Sequence, residues 1–141
     1  MTVSDSVGEG KYVDYDTSST TSAINTGRIV ELNSDGDVIL PTTTPGNPVG
    51  VSATKVSART TASKEKITVQ VSGMAHVACA ANEAFDYNGQ VVPAENGLAA
   101  TVGTYAGTTF SSENMRKIIG RVYTPDATTT GTTAIVLLNI K

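Results

Sequence analysis

Two stretches constrain this chain more than any others: Lys66–Ala80, KITVQVSGMAHVACA, and Thr133–Lys141, TAIVLLNIK. In the first, Ile67, Val69 and Val71 alternate with Thr68 and Gln70, the period of a strand with one face buried and one wet. The second carries Ala134-Ile135-Val136-Leu137-Leu138, apolar on both faces and too short for a typical helix, which fits a central strand covered on both sides. Each stretch closes a longer unit. Ahead of Ile67 come Gly27-Arg28-Ile29-Val30, a turn at Asn33–Asp37, Val38-Ile39-Leu40 and Pro48-Val49-Gly50-Val51; ahead of Ala134 come Gly89-Gln90-Val91-Val92, a turn at Glu95-Asn96-Gly97, Leu98–Val102 and Ile118–Val122. The same order of parts occurs twice, offset by 62 residues from Gly27 to Gly89, 70 from Gly50 to Gly120 and 67 from Ile67 to Ala134. This order predicts an all-β module with a two-fold internal repeat.

A length of 141 residues allows one domain with a modest core and an appendage. Aromatic residues are 5% and charged residues 16% of the chain, so Thr, Ser, Asn and Gly must cover much of the surface. A net charge of −3 with scattered Lys and Arg provides no field to attract nucleic acid. No apolar run reaches the roughly 20 residues of a membrane helix, and the start, MTVSDSVGEGK, has neither the basic nor the apolar region of a secretory signal. The expectation is a chain made in a cytoplasm, with no membrane partner.

Residues 1–24 are expected to form an extended N-terminal arm, with the β domain over 25–141. The arm carries few large apolar side chains, namely Val3, Val7, Tyr12, Val13, Tyr15 and Ile24. Ordering each backbone costs about 1–2 kcal/mol. Burying one such side chain returns about 1.5–3 kcal/mol, so the arm needs something outside itself to lie against. Lys11–Tyr15 alternates like a strand; it can add to the edge of another chain's sheet, or serve as an edge strand or flexible terminus of its own chain. Tyr12, Val13 and Tyr15 are therefore candidate partner-binding residues. Tyr105 and Phe110 join them from Gly103–Glu113, a stretch without regular pattern that lengthens the second unit. Phe85, one of few aromatics, is expected to plug the core. One helical turn is expected over Asn82–Asn88 and another over Ser112–Lys117.

Several patterns imitate chemistry. Asn33, Asp35 and Asp37 open like a calcium loop, but the glycine comes too early and Thr44 stands where the closing Glu belongs, so they read as turn residues. His76 and Cys79 are the sole residues of their kinds, which leaves either without partners of its own kind for a metal site; both read as structural. Gly103 and Gly107 suggest a phosphate loop, yet no Lys follows. No motif places a catalytic pair, nucleophile elbow or dinucleotide fingerprint. The expectation is a protein-binding module, not an enzyme, with no cofactor and no small-molecule substrate.

The arrangement GRIVEL…DGDV…PVGV…ITVQVSGMA, followed by AFDYNGQVV…IIGRV…AIVLLNI, resembles the capsid decoration (cement) proteins of tailed bacteriophages over roughly Thr26–Lys141. The resemblance implies a β-tulip-like or small barrel fold. It also implies a homotrimer on the outer surface of the capsid, with its arm reaching across subunits of the major capsid protein and stabilising the expanded head. The family carries no catalytic residues. Gly103–Glu113 and the Thr-rich loops depart from its pattern. Two other readings fit the strands and loops: another virion component such as a tail or spike module, and a carbohydrate-binding β-domain. The second would use exposed aromatics, but Tyr12, Tyr15, Tyr87, Tyr105 and Tyr123 are widely spread in sequence.

Overall fold

A computed structural model of the chain describes residues 10–18, 22–43, 45–58, 63–80, 85, 87–101, 116–124 and 133–140. Nine strands form one antiparallel, curled sheet: β1 (Lys11–Asp16), β2 (Ile29–Leu32), β3 (Val38–Ile39), β4 (Pro48–Ser52), β5 (Lys66–Ala78), β6 (Gln90–Pro93), β7 (Ala99–Thr101), β8 (Gly120–Thr124) and β9 (Thr133–Asn139). The described residues contain no α-helix, only a 3-10 turn at Glu95–Gly97. Strand order is β3-β2-β4-β5-β9-β8-β6-β7, with β1 added against β5.

This order is a duplication. Read outward from the centre, β5-β4-β2-β3 on one side has the connectivity of β9-β8-β6-β7 on the other. The 13-residue β5 belongs to both halves. Its first part pairs with β1, Tyr12 opposite Gln70 and Tyr15 opposite Ile67; its second part pairs with β9, Met74 opposite Leu137 and Val77 opposite Ala134. Adding 62 to the β1 numbers and 67 to those of β5 converts the first register into the second. The second half of β5 thus plays for repeat two the part that β1 plays for repeat one. In each repeat one parallel bridge returns the third strand to the first, Thr17 to Val38 and Cys79 to Ala99, so each repeat curls nearly shut.

The first repeat closes around Ile24, Val30, Val38, Val56, Ile67 and Val69, with Tyr15, Leu40, Val49 and Val71 packed at its margin. The second closes around Ala75, Val77, Cys79, Phe85, Val91, Ala99, Ile119, Val122, Ala134, Val136 and Leu138, and this cluster takes in Ile29 and Val51 from the flank of the first. Each buried aliphatic residue contributes about 1.5–3 kcal/mol. The strands approach closely where the sequence has glycine: a Cβ on Gly50 would overlap the Gln70 carbonyl oxygen, and one on Gly120 that of Leu137, the same contact in each repeat. Phe85 is buried, as expected.

Of the readings open for Lys11–Tyr15, the structure shows the edge strand of its own chain: Lys11–Asp16 lies along β5, and Ile24 is fully buried in the core of the first repeat. Two expectations change. The residue equivalent to Gly27 is Asn88, not Gly89: Gly27 N–H donates to Ser52 O and Asn88 N–H to Val122 O, and both residues have positive φ, +78° and +63°. Asn is one of the few residues that enters this region readily, which hid the match from a comparison keyed on glycine. Gln70 was expected to be wet and is instead buried, because its Nε2 donates to the carbonyls of Ser72 (3.0 Å) and Met74 (2.8 Å). The stretches 102–115 and 125–132, and most of the turn expected over Asn82–Asn88, lie outside the described residues.

Candidate interaction surfaces

Six large apolar side chains stand exposed among the described residues: Tyr12, Val13, Leu32, Tyr87, Tyr123 and Leu137. They fall into two groups. Tyr12 and Val13 are on β1, half-exposed, while Tyr15 of the same strand packs onto the core of the first repeat. Leu32 leads from β2 into the Asn33–Asp37 turn. The expected partner-binding set is therefore divided, with Tyr12 and Val13 exposed on opposite faces of β1 and Tyr15, on the face of Val13, used as an anchor. Tyr105 and Phe110 lie outside the described residues.

Tyr87, Tyr123 and Leu137 make the second group and line one open groove of about 580 Å³ with Asn88, Arg121, Val122, Leu138 and Asn139. Local backbone chemistry assembles it. The mutual bonds of Asn88 N–H to Val122 O and Val122 N–H to Gly89 O tie the turn before β6 to β8, which holds Tyr87, 75% exposed, at the rim. Register slips between Val122 and Thr124, so Tyr123 occupies a bulge, a device that re-aims a side chain. On β9, Ala134, Val136 and Leu138 face inward and leave Leu137 on the outer face, opposite Arg121 and Met74. The sequence placed Leu137 in a strand covered on both sides; its 40% exposure shows one side uncovered.

The polar clusters are structural. Asn33 Oδ1 accepts from the amides of Asp35 and Asp37, both at 2.9 Å, which closes the turn without calling on a cation. The buried Asp37 carboxylate accepts both of its hydrogen bonds from Lys64 Nζ, at 2.8 and 2.9 Å, and that contact raises the Lys64 pKa above 10.5. Lys66 Nζ lies 2.9 Å from Asp16, and its hydrogen bond holds that carboxyl below its ordinary value. His76 is exposed on β5 beside Ile135, and the Cys79 thiol is buried. Among the described residues no three His, Cys, Asp or Glu side chains gather as a metal site would require.

No family model matches the sequence, and no curated protein matches it. A solved structure does match the fold, that of the head fiber gp8.5 N base in bacteriophage phi29, at 10% identity and a TM-score of 0.58 over 92% of this chain and 95% of that one. The fold is similar to that of a phage head-fibre base. The likeness extends over both repeats, since a match to one of them alone would cover about half of each chain. At that identity it speaks for the backbone architecture, and the two exposed groups above belong to this sequence.

Proposed function

We propose that this chain is a structural component of a tailed-phage head, a decoration protein that docks on the outer surface of the capsid and bridges subunits of the major capsid protein. The observation that carries the reading is the end-to-end match of its fold to the base of a head fibre. Exposed apolar groups on a chain with few aromatics support a role in binding protein. In this reading the protein is made in the host cytoplasm, acts as a homotrimer, carries out no reaction and takes no cofactor.

The mechanism is linkage. A protein that binds across subunit joints present only in the expanded shell stabilises that shell against the pressure of packaged DNA. Three copies held together raise the effective concentration of one another's contacts, so weak single contacts give firm attachment.

The test mixes purified protein with expanded and unexpanded heads lacking it. Saturable binding to expanded heads, with imaged density over subunit joints, supports the reading; equal binding to both forms, or none, ends it. The matching structure also favours a second reading, in which the chain is the base of a longer head fibre. Density projecting outward beyond the size of this domain in the native particle would select it.

A further inference from the structure

The interface between the two repeats is asymmetric, and each repeat carries one surface that its counterpart uses and it does not. Within the chain, the second repeat covers the flank of the first with two elements. The second half of β5 lies on Gly27, where Ala78 N–H donates to Gly27 O at 2.9 Å and the His76 carbonyl packs 3.0 Å from where a Gly27 Cβ would stand. The turn between β6 and β7 sits on Arg28 and Ile29: Arg28 Nη1 donates to Asn96 O at 3.1 Å, and Gly97 presses so closely on the Ile29 carbonyl that no Cβ fits. Ile29 and Val51 are buried beneath.

The equivalents of the covering elements are β1 and the Asn33–Asp37 turn of the first repeat, and they are exposed. Gly36 has the same turn position as Gly97, and a Cβ on it would meet nothing within 4 Å. The equivalents of the covered flank are Asn88, Gly89, Gln90, Arg121 and Leu137 of the second repeat; of these, Asn88, Arg121 and Leu137 line the open groove, rimmed by Tyr87 and Tyr123. The six exposed large apolar residues thus divide between the two unused surfaces, Tyr12, Val13 and Leu32 on one, Tyr87, Tyr123 and Leu137 on the other. Arg121 is exposed in the groove, and β1 and its neighbouring turn carry Asp14 and Asp35 beside Lys11.

We infer that the occupant of the groove is a second copy of this chain, bound head to tail, with β1 and the Asn33–Asp37 turn of one copy seated on the second repeat of the next as the second repeat is seated on the first within each copy. Leu137 stands where Gln70 stands in the first repeat, and Tyr12 where Met74 stands. Inside the chain Gln70 Nε2 donates to the Met74 main-chain oxygen; between copies the Leu137 side chain lies at the same place against the β1 backbone at Tyr12. Such a contact uses different surfaces on the two partners, so it closes into a ring or extends as a filament. The inference goes beyond the reading as a head component: a monomer at every concentration would end the inference together with the homotrimer of that reading, while docking on the head is read separately with expanded and unexpanded heads.

The experiment pairs mass measurement with directed cross-linking. Wild-type protein is expected to form multiples of 14.5 kDa as concentration rises. Tyr12→Glu and Leu137→Glu, both at exposed positions, should each raise the dissociation constant at least about tenfold with an unchanged denaturation curve. Tyr12→Cys mixed with Leu137→Cys should be joined between copies by a bifunctional thiol cross-linker about 13 Å long, the span of four strand residues, while either variant alone should not. A mass of 14.5 kDa at every concentration, or cross-linking by either single variant alone, overturns the inference.

Discussion

Gly36 and Gly97 occupy the same place in the same turn, and their surroundings have nothing in common. One faces open space; the other lies hard against the backbone of the neighbouring repeat. The contrast runs through the molecule. Val51 and Ile29 of the first repeat are buried, and their equivalents Arg121 and Gln90 in the second are exposed; Gln70 is buried, and its equivalent Leu137 is exposed. A duplicated backbone therefore imposes the positions of strands, turns and inward side chains, while the outer surface of each repeat follows from what it touches. Covering on one flank and exposure on the other is the expected result of placing two copies of an asymmetric unit side by side.

The comparison breaks most visibly if the shared skeleton is not shared in energy. Gly50→Val and Gly120→Val should each cost about 3 kcal/mol or more, since a side chain there must push a strand off its neighbour. Urea denaturation showing a large loss for one and none for the other would mean that the repeats do not stand on equal terms.

Next in size is the contrast between core and flank. Ile24→Ala empties a fully buried site and should cost about 2–5 kcal/mol. Leu137→Ala, read at concentrations where the chain is monomeric, should change stability by less than about 0.5 kcal/mol. A large loss at Leu137 would show that it is covered within its own chain.

The turn residues sharpen the equivalence of Gly27 and Asn88. Gly27→Ala should cost about 1–2 kcal/mol for a left-handed non-glycine backbone, with the His76 carbonyl close by adding to it. Asn88→Gly should be near neutral, because the turn tolerates either residue. Comparable losses at both sites would dissolve the match.

The smallest effect is pH dependence, and it should come from the first repeat. The Lys66 hydrogen bond lowers the Asp16 pKa, so its stabilisation is present above 3.8 and is lost as pH falls through the lower folded value. The Lys64 pKa is raised by its hydrogen bond to Asp37, so that stabilisation is present below 10.5 and lost as pH rises through the higher folded value. Both groups meet solvent, which keeps the effects small. The equivalents of Asp16, Lys66 and Asp37 are Ala78, Thr133 and Leu98, which do not titrate. Thermal denaturation of Lys66→Met should show a flattened acid limb, and an unchanged limb would assign the dependence elsewhere.

Of the candidate surfaces, Tyr12 and Val13 were legible as the exposed alternation of a polar strand. The grouping of Tyr87, Tyr123 and Leu137 was not, because it depends on a bulge at Tyr123 and a left-handed Asn88, both set by pairing with distant residues. Even the role of Tyr15 turned on which side of β1 met the core.

The sequence by itself determined the strands, their repeated order, the correspondence of Gly50 with Gly120 and the burial of Phe85. These follow from local alternation, turn chemistry and residue size, which act within a few residues. Only the tertiary structure decided that the boundary between the repeats falls inside one continuous strand, that β1 is the counterpart of that strand's second half, and which flank remained uncovered. Strand pairing and the packing of one repeat on the other join residues tens of positions apart, and a periodic pattern is silent on its partner until the register is formed.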